Sequence, residues 1–477
     1  MIDAFHTRRA QAALVIVVIA GLLLVFGVGG AAGARHTDRS HGSAAKSRVW
    51  KAAKQRRARA ARLRARALRA SKASSKKTSK STSVGSVGSS VPVTSGGSST
   101  STSTSTTTET TTKEVSTTTA TEETKTTDPG ISENVEVSSS SSSSSAVCAS
   151  IAAIASQGWA PACWRPYSAS SPWNREVSAT SQVASDSSEV VTRMMSWGEP
   201  QSLLAGQSGT AADYYHPIYF STSSDPVYTL RTTEPWGESG IDGDQVRIPS
   251  AAQPAGGSDA HLAVITPEGW EYDLWGVESK PTGGGVLRFA WGGKTRIEGE
   301  GRESDATAAH FPLAAGVIRA QEMKAGKIDH ALFMGVRCTA SRGEAVYPAA
   351  TDTGEPCSEK GYGSDTGAPP MGGHFVLRMS DAEIAALSVP RWKKTILTAM
   401  AHYGMYVGDA IGSGSFGLQF ESGSTYTSFG AEDPMVAFAR EEGIPKWEGM
   451  YVFNLGGGVE WKSKLKLLSP CVAEGSC

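Results

Sequence analysis

The sequence lacks the short motifs on which several common enzyme chemistries depend. It contains no G-x-S-x-G nucleophile elbow, no phosphate-binding G-x-x-x-x-G-K-[ST] loop, no H-E-x-x-H zinc motif and no EF-hand loop. No C-x-x-C pair occurs among its six cysteines, which removes support for a zinc ribbon or a dithiol redox motif. We therefore expect neither a metal nor an organic cofactor.

Acidic residues are scarce at the N-terminal end and abundant elsewhere. The first 80 residues hold 19 of the 46 Lys and Arg residues but only two of the 46 Asp and Glu residues. The rest of the chain therefore has 27 basic and 44 acidic residues, a net charge of −17. Because contacts with phosphates need a basic face, this charge argues against a nucleic-acid partner.

Charged residues are absent from residues 12–34, which are mostly apolar and follow a short segment, residues 1–11. About 20 such residues span a bilayer as a helix, so we expect a transmembrane anchor with residues 1–11 in the cytoplasm. The alternative is a secretory signal peptide, with Arg8 and Arg9 before the apolar run and cleavage after Ala34. The length of the run favours the anchor, whereas its Ala-Gly-Ala ending favours cleavage. A twin-arginine export signal is a third option, matched only at residues 7–9.

Two observations disagree about which side of the membrane the rest of the chain occupies. More positive charge follows residues 12–34 than precedes them, which would keep the C-terminal side in the cytoplasm. All the cysteines lie far downstream, however, and their even number suits an oxidising compartment. We therefore expect an extracellular domain, with Cys338 and Cys357 paired across a Gly/Ser-rich loop. The cysteines are Cys148, Cys163, Cys338, Cys357, Cys471 and Cys477.

Two segments of biased composition follow the apolar run. Residues 35–80 form a basic stalk, which is either simply solvated or adheres to anionic lipid headgroups or wall polymers. Residues 81–146 are a Ser/Thr-rich tract that cannot bury a core, which predicts a disordered spacer. The spacer would carry the remaining domain, residues 147–477, away from the membrane.

Residues 147–477 have the composition of a folded, mainly β domain. They contain 11 of the 12 tryptophans, and their short apolar runs are separated by Gly, Pro and Asp clusters. We expect a β-sandwich or jelly-roll-like domain with one or two short helices. One helix would begin at a capping box formed by Ser380 and Glu383. A second would run from Pro390 to His402, stop at Gly404, and pack its apolar stripe on a sheet.

A hairpin is predicted around the sequence Thr266-Pro267-Glu268-Gly269. Proline suits the second position of a type I turn, and glycine suits the left-handed bulge residue after it. If Thr266 faces Trp270, one face of the hairpin is apolar and the other carries several ionisable groups and an indole. The apolar face carries Leu262, Val264, Trp270, Tyr272 and Leu274, and the other carries Asp259, His261, Glu271, Asp273 and Trp275.

The second face of the hairpin is our main candidate for a functional site. His261 and Asp273 would lie diagonally across the strand pair, within reach of each other. Ala263 and Ile265 on the same face indicate partial burial. An outer, solvated sheet face with a His–Asp hydrogen bond is an equally weighted interpretation.

Further candidates lie downstream of the hairpin. His330 lies on a predicted strand, where a lone histidine is more often a bonded core residue than a catalyst. Tyr403 ends the second helix, and Asp409 follows a short strand. Gln419 and Glu421 share one face of another strand. Hydrolysis of a glycosidic bond needs two carboxyl groups, which Asp273 together with Glu271, Asp409 or Glu421 could supply.

Five blocks of the sequence stand out: PYSASSPWNREV (166–177), SDAHLAVITPEGWEYDLW (258–275), LAAGVIRAQEMKAGKIDHAL (313–332), PPMGGHFVLRM (369–379) and ILTAMAHYGMYVGD (396–409). They resemble blocks shared by secreted actinobacterial proteins, and their order resembles that of a broad family of exported bacterial proteins without an established activity. The resemblance covers roughly residues 164–435 and implies that His261, Asp273, His330, Tyr403 and Asp409 are positions of interest, without assigning their roles. The wider family often has A-D-N-G after the Tyr-Gly pair, whereas this chain has Val407-Gly408-Asp409-Ala410.

These features predict a carbohydrate-active enzyme at the membrane or wall, most simply a glycoside hydrolase acting on a polysaccharide or cell-envelope glycan. Asp273 would be the acid/base or nucleophile, His261 would set its charge or orientation, and Trp275, Asp259 and Gln419 would contact substrate. A non-catalytic glycan-binding or adhesive module is the main competing interpretation. An acid peptidase that uses Glu421 with Gln419 is a third, and a polysaccharide lyase is a fourth, although the net charge disfavours an acidic polymer.

Overall fold

The computed structural model describes residues 148–236, 239–351 and 353–470. The predicted anchor, stalk and spacer lie outside the described residues, as do Cys471 and Cys477. Within the part of the chain that the structure describes, no helix combines the length and apolar character needed to cross a membrane.

The described residues form a mainly β domain with three sheets, as the sequence predicts. The first sheet has six strands in the order β2-β5-β6-β7-β3-β4, and the second has five in the order β11-β8-β10-β9-β14. A small third sheet has the order β1-β13-β12. The strands are β1 (Leu203–Ala205), β2 (Ile218–Phe220), β3 (Val227–Thr232), β4 (Gln245–Arg247), β5 (Leu262–Ile265), β6 (Trp270–Ser279), β7 (Gly285–Arg296), β8 (Leu332–Val336), β9 (His374–Leu377), β10 (Met405–Ala410), β11 (Phe416–Leu418), β12 (Lys446–Trp447), β13 (Met450–Phe453) and β14 (Leu465–Leu467).

Both large sheets are mixed rather than purely antiparallel. The pairs β2–β5 and β3–β7 are parallel in the first sheet, and β8–β10 is parallel in the second. A jelly roll is built from antiparallel strands. These parallel pairs join segments that are distant in the sequence, so no turn signal reports them.

Helices are more numerous than the sequence pattern indicates, and nine occur in the described residues. The two predicted helices are present: Ser380 accepts from the Glu383 backbone N–H, and Gly404 follows the second helix with φ of 73°. That second helix packs its apolar stripe against β9, as predicted. The helices are α1 (Ile151–Gln157), α2 (Ser187–Ser196), α3 (Ala320–Ala325), α4 (Cys357–Lys360), α5 (Asp381–Ala386), α6 (Arg391–His402), α7 (Ser424–Thr427), α8 (Pro434–Glu441) and α9 (Trp461–Lys464).

The hairpin of β5 and β6 has the predicted register. Ala263 pairs with Asp273 and Ile265 with Glu271, while the Thr266 N–H donates to the Trp270 carbonyl at 2.8 Å. Gly269 has φ of 77°, the left-handed conformation that the bulge requires. The local turn chemistry therefore determines which side chains share a face.

Both faces of this hairpin are buried, not one. Leu262, Val264 and Leu274 pack into a core built on the first sheet. Ala263 and Ile265, on the opposite face, belong to a larger core that includes strands of the second sheet. The sequence predicts that this face is partly buried. Near β5 it is fully buried, because a second layer covers it.

Two disulfide bonds are present in the described residues. The predicted Cys338–Cys357 bond closes the loop between β8 and α4, with Cα atoms 4.8 Å apart. A second bond joins Cys148 to Cys163 across α1, with a Cα separation of 5.6 Å.

Candidate functional site

Polar side chains from both large sheets meet in one cluster. His216 lies two residues before β2, His261 directly before β5, Asp409 within β10, and Gln419 directly after β11. Asp259 precedes His261 by two residues. We call these five residues the histidine–carboxylate cluster.

His216, which the sequence reasoning missed, is the hub of this cluster. Its ring lies edge-on to that of His261, with centroids 4.8 Å apart. His216 Nδ1 is 2.8 Å from the Leu313 carbonyl, and Gln419 Nε2 lies 3.2 Å from His216 Nε2. A neutral ring that donates from Nδ1 and accepts at Nε2 satisfies both contacts. Burial lowers the pKa of His216 to about 3, and the neighbouring His261 adds to this effect.

The two histidines come together through the parallel pairing of β2 with β5. Ile218 pairs with Ala263 in that register, so His216 and His261, each two residues earlier, lie at the same edge of the sheet. Pairing between distant parallel strands leaves no local pattern in the sequence. His216 and His261 are therefore recognisable as neighbours only once the pairing of β2 with β5 is known.

His261 is buried with an unused nitrogen. Only 5% of the residue is exposed, and within the described residues its Nδ1 atom has no hydrogen-bond partner. Burial lowers the pKa of His261 to about 4, so the ring is neutral above that pH. The sequence predicts that His261 pairs with Asp273, but its ring packs against His216.

Asp409 is a partly buried carboxyl group whose proton is held unusually strongly. Burial raises the pKa of Asp409 to about 7, and the negative charges of Asp259 and Glu355 raise it further. Asp259 also acts on His216, where its negative charge opposes the fall in pKa. The carboxylate of Asp259 therefore lies within electrostatic reach of both Asp409 and His216. Asp259 and Asp409 are both partly exposed.

A strained segment lies beside this cluster. Glu303, Asp305 and His310 have φ of 67°, 62° and 59°, and Ala260, between Asp259 and His261, has φ of 39°. Non-glycine residues in the left-handed region cost roughly 1–3 kcal/mol each and concentrate at functional sites. The segment is tied to the second sheet, because the Ala309 N–H donates to the Gly408 carbonyl at 3.0 Å.

Glu271 and Asp273, which we call the acid pair, lie on the predicted face but are fully buried. Glu271 accepts from the Tyr167 hydroxyl at 2.7 Å and from the Ala314 N–H at 2.8 Å. Asp273 accepts from the Ser304 hydroxyl and from the Leu313 N–H. Burial raises the pKa of Asp273 well above its usual range, and repulsion from Glu271 adds to it; burial also raises the pKa of Glu271.

The acid pair is therefore placed to organise the chain rather than to meet a substrate. Its oxygens hold the backbone of residues 313–314 and the Tyr167 side chain. The carbonyl of Leu313 in turn accepts from His216. A chain of hydrogen bonds thus leads from the acid pair to the histidine–carboxylate cluster.

His330 and Glu421 lie in two neighbouring buried networks, since Arg319 and Glu322, which belong to the first, also act electrostatically on Glu421. His330 Nε2 lies 3.1 Å from Glu322 Oε1, and the same oxygen accepts from Arg319. Glu421 accepts from the Tyr426 hydroxyl at 2.7 Å, and burial raises its pKa to about 7. Gln419 contacts His216 instead, so the two residues of the predicted peptidase pair have different partners.

Tyr403 lies at the end of α6, where its hydroxyl is 3.3 Å from Glu176 Oε1. Burial raises the pKa of Tyr403 to about 12. Tyr403 lines a separate cavity of about 270 Å³, together with residues of α6 and of the segment 326–329. This cavity shares no lining residue with the histidine–carboxylate cluster.

Trp275 forms a cluster with two tryptophans that the sequence reasoning did not single out. Trp236 stacks on it at 5.9 Å between centroids and lies 5.5 Å from Trp291. Trp291 pairs directly with Trp275 across β6 and β7, and all three residues are partly exposed. The Gly276 N–H, next to Trp275, donates to the Asp259 carbonyl at 2.7 Å, which joins this tryptophan cluster to the histidine–carboxylate cluster.

The described residues contain no group of three or more His, Cys, Asp or Glu side chains arranged to hold a metal ion. The imidazole and carboxyl groups of the histidine–carboxylate cluster are groups that can transfer protons, and the tryptophan cluster beside it offers an aromatic surface. No family model, curated protein or solved structure matches this chain.

Proposed function

We propose that this chain is an extracellular carbohydrate-active enzyme, most simply a glycoside hydrolase, whose reacting carboxyl groups are Asp409 and Asp259. The observation that carries the proposal is their electrostatic coupling at a partly exposed position where the two large sheets meet. Hydrolysis of a glycosidic bond needs two carboxyl groups, one as the acid and the other as the base or nucleophile.

Asp409 is the general acid in this proposal. A carboxyl group with a pKa of about 7 still carries its proton in a large fraction of molecules at neutral pH. It can therefore protonate the glycosidic oxygen as the bond breaks. Asp259 supplies the negative charge, either attacking the sugar directly or activating a water molecule.

The tryptophan cluster supports a sugar substrate. Aromatic rings pack against the apolar C–H faces of sugars, and Trp236, Trp275 and Trp291 present partly exposed rings beside Asp259. The backbone hydrogen bond from the Gly276 N–H to the Asp259 carbonyl brings the strand that carries Trp275 next to Asp259.

His216, His261 and Gln419 serve as positioning residues in this proposal. The two neutral rings pack against each other, the Leu313 carbonyl fixes the proton of His216 on Nδ1, and Gln419 donates to its Nε2. The acid pair, to which the sequence pattern assigned the chemistry, anchors the Leu313 backbone that His216 contacts. Asp273 therefore contributes by holding this backbone and does not contact the substrate.

The proposal includes the cellular setting that the sequence indicates. Residues 12–34 anchor the chain in the membrane, or are removed as a signal peptide, and residues 81–146 carry the domain towards cell-envelope glycans. The two large sheets act as the layers of a sandwich-like domain, because both contribute to the larger core.

The test is turnover of polysaccharides by the full-length protein with its disulfides intact. A panel of neutral and acidic polysaccharides and cell-wall preparations would be incubated with it, and products read by mass spectrometry. We expect new oligosaccharides from at least one neutral polymer, lost in Asp409→Asn and Asp259→Asn. Glu268→Gln, in the exposed hairpin turn, is the matched control and should retain activity.

A non-catalytic glycan-binding module is the second candidate, since the tryptophan cluster suits binding as well as turnover. Binding without products across the panel, unchanged in Asp409→Asn, would establish that candidate and rule out the hydrolase. Products that persist in both Asp→Asn variants would rule out the assigned carboxyl groups.

A further inference from the structure

The outer face of α2 presents a row of hydroxyl groups to solvent. Ser188, Thr192 and Ser196 are spaced four residues apart and are all exposed. Residues at i, i+4 and i+8 lie on one side of a helix. The opposite side of α2 buries Val190 and Met194, so the hydroxyl row is a surface and not part of the core.

A loop held by an arginine forms the facing wall. The guanidinium of Arg193, on α2, donates to the carbonyls of Ser364 and Thr366 and lies 3.4 Å from that of Tyr362. Asp365 accepts from the Ser358 N–H at 2.7 Å. The Cys338–Cys357 bond closes the base of this region. The loop is therefore organised before any ligand arrives.

Two aromatic rings close one end of the space between helix and loop. The rings of Trp197 and Tyr362 are 6.4 Å apart, and Tyr362 is 38% exposed. The guanidinium of Arg337 lies 4.9 Å from the Tyr362 ring, and that of Arg193 lies 5.8 Å from the Trp197 ring. Cation–π contacts of this kind orient the rings.

We propose that this space, the aromatic groove, is a binding site for a neutral oligosaccharide. Its volume of about 830 Å³ is within the range of about 300–1,000 Å³ found for ligand pockets. The aromatic rings suit sugar C–H faces, and the hydroxyl row suits sugar hydroxyl groups.

The charge of the groove selects against acidic sugars. Asp186 and Glu189 line it, while the guanidinium of its one lining arginine, Arg193, is engaged by loop carbonyls. An anionic polymer would meet two carboxylates, while the guanidinium of Arg337, which lies on the Tyr362 ring, is engaged by the Gly412 carbonyl at 3.1 Å. The aromatic groove shares no residue with the histidine–carboxylate cluster or the tryptophan cluster, so its binding goes beyond the proposed hydrolysis and does not require it.

The experiment measures binding by calorimetry to the full-length protein carrying Asp409→Asn, so that turnover does not consume the probes. The probes are cellohexaose, laminarihexaose, mannohexaose and, as the acidic comparison, a hexamer of galacturonate. We expect at least one neutral probe to bind and the acidic hexamer to bind more weakly or not at all. Tyr362→Ala and Thr192→Arg, which remove the exposed ring or fill the groove, should each raise the Kd by about tenfold or more.

Tyr362→Phe keeps the ring and should keep the affinity, whereas Trp447→Ala, at an aromatic residue that is 60% exposed and does not line the groove, is the control. No binding of any neutral probe, or an unchanged Kd in both Tyr362→Ala and Thr192→Arg, would overturn the aromatic groove. The outcome is separable from the proposed function. If binding depends on Tyr362 but the wild type shows no turnover, the aromatic groove is supported and the hydrolase is not. If the wild type shows turnover but binding does not depend on Tyr362, the hydrolase is supported and the groove is not.

Discussion

At the scale of single residues, the decisive property is how each carboxyl group is solvated. Asp409 is partly exposed and has its pKa raised to about 7, whereas the acid pair is fully buried. Both environments stabilise the protonated form, but only the first lets a substrate reach the proton. The chemical type of a residue and its position on a strand did not distinguish these two cases.

Asp409 should impose a pH dependence on turnover. Because its protonated form is the acid, we expect kcat/KM to fall as the pH rises through about 7. Asp409→Asn, which cannot donate this proton, should lower kcat by about 10²- to 10⁴-fold. The measurement is the pH profile of kcat/KM on whichever polysaccharide yields products. A flat profile between pH 6 and 8 would contradict the assignment.

Tyr167→Phe should destabilise the fold through the acid pair. It removes the hydroxyl that donates to Glu271 at 2.7 Å in a fully buried site. Leaving a buried acceptor unsatisfied costs about 1–3 kcal/mol in the free energy of unfolding. Urea denaturation measures this change in the free energy of unfolding. Tyr214→Phe, at a residue that is 44% exposed, is the matched control. Equal stability of the two variants would show that the bond contributes nothing.

At the scale of secondary-structure elements, the sequence shows the local signals of caps and turns but not the pairing of distant strands. The capping box, the helix stop at Gly404 and the hairpin register follow from residues within a few positions of one another. Helix α8 also carries readable signals that the sequence reasoning passed over, since Asp433 caps its N-terminus and Pro434 is its first residue. The parallel pairing of β2 with β5 has no such signal.

Ser380→Ala should weaken helix α5. The Ser380 hydroxyl accepts from the Glu383 N–H, and loss of such a cap costs about 1 kcal/mol in the free energy of unfolding. Thermal unfolding would measure this loss in the free energy of unfolding. Ser188→Ala, at an exposed position inside α2, is the control. A larger loss for the control than for Ser380→Ala would argue against the capping role.

At the scale of the whole molecule, buried titratable groups of both kinds determine how stability depends on pH. Asp409 and Glu421 have pKa values raised to about 7, so their protonated forms stabilise the fold at low pH. This contribution to the free energy of unfolding is lost as the pH rises from about 4 through 7. The lowered pKa values of His216, about 3, and of His261 and His374, about 4, act oppositely. Their contribution is present above about 6.5 and is lost as the pH falls towards 3.

Between about pH 4.5 and 6.5 the three histidines outweigh the two carboxyl groups, so these five groups together predict a stability maximum near about pH 6.5. Below this pH the unfolded chain takes up more histidine protons than the native state holds in its two carboxyl groups, and just above it the native state still holds carboxyl protons that the unfolded chain has released. Urea denaturation from pH 3 to 9 measures the profile. Asp409→Asn should flatten its alkaline side, and a maximum above pH 8 would contradict the prediction.

The sequence by itself determined the features that depend on near neighbours. These are the mainly β composition, the register of β5 and β6, the two predicted helices and the Cys338–Cys357 bond. Turns and caps are formed by side chains and backbone groups a few residues apart, so their chemistry can be read along the chain.

Only the tertiary structure decided which polar residues meet and which are closed off from solvent. A second layer of chain covers the acid pair, and parallel pairing brings His216 beside His261. Both outcomes depend on segments that lie far apart in the sequence, whose contact is determined by the packing of the whole core. Ala263 and Ile265 indicate that this face of the hairpin is partly buried, but the hairpin alone does not identify the segments that cover it.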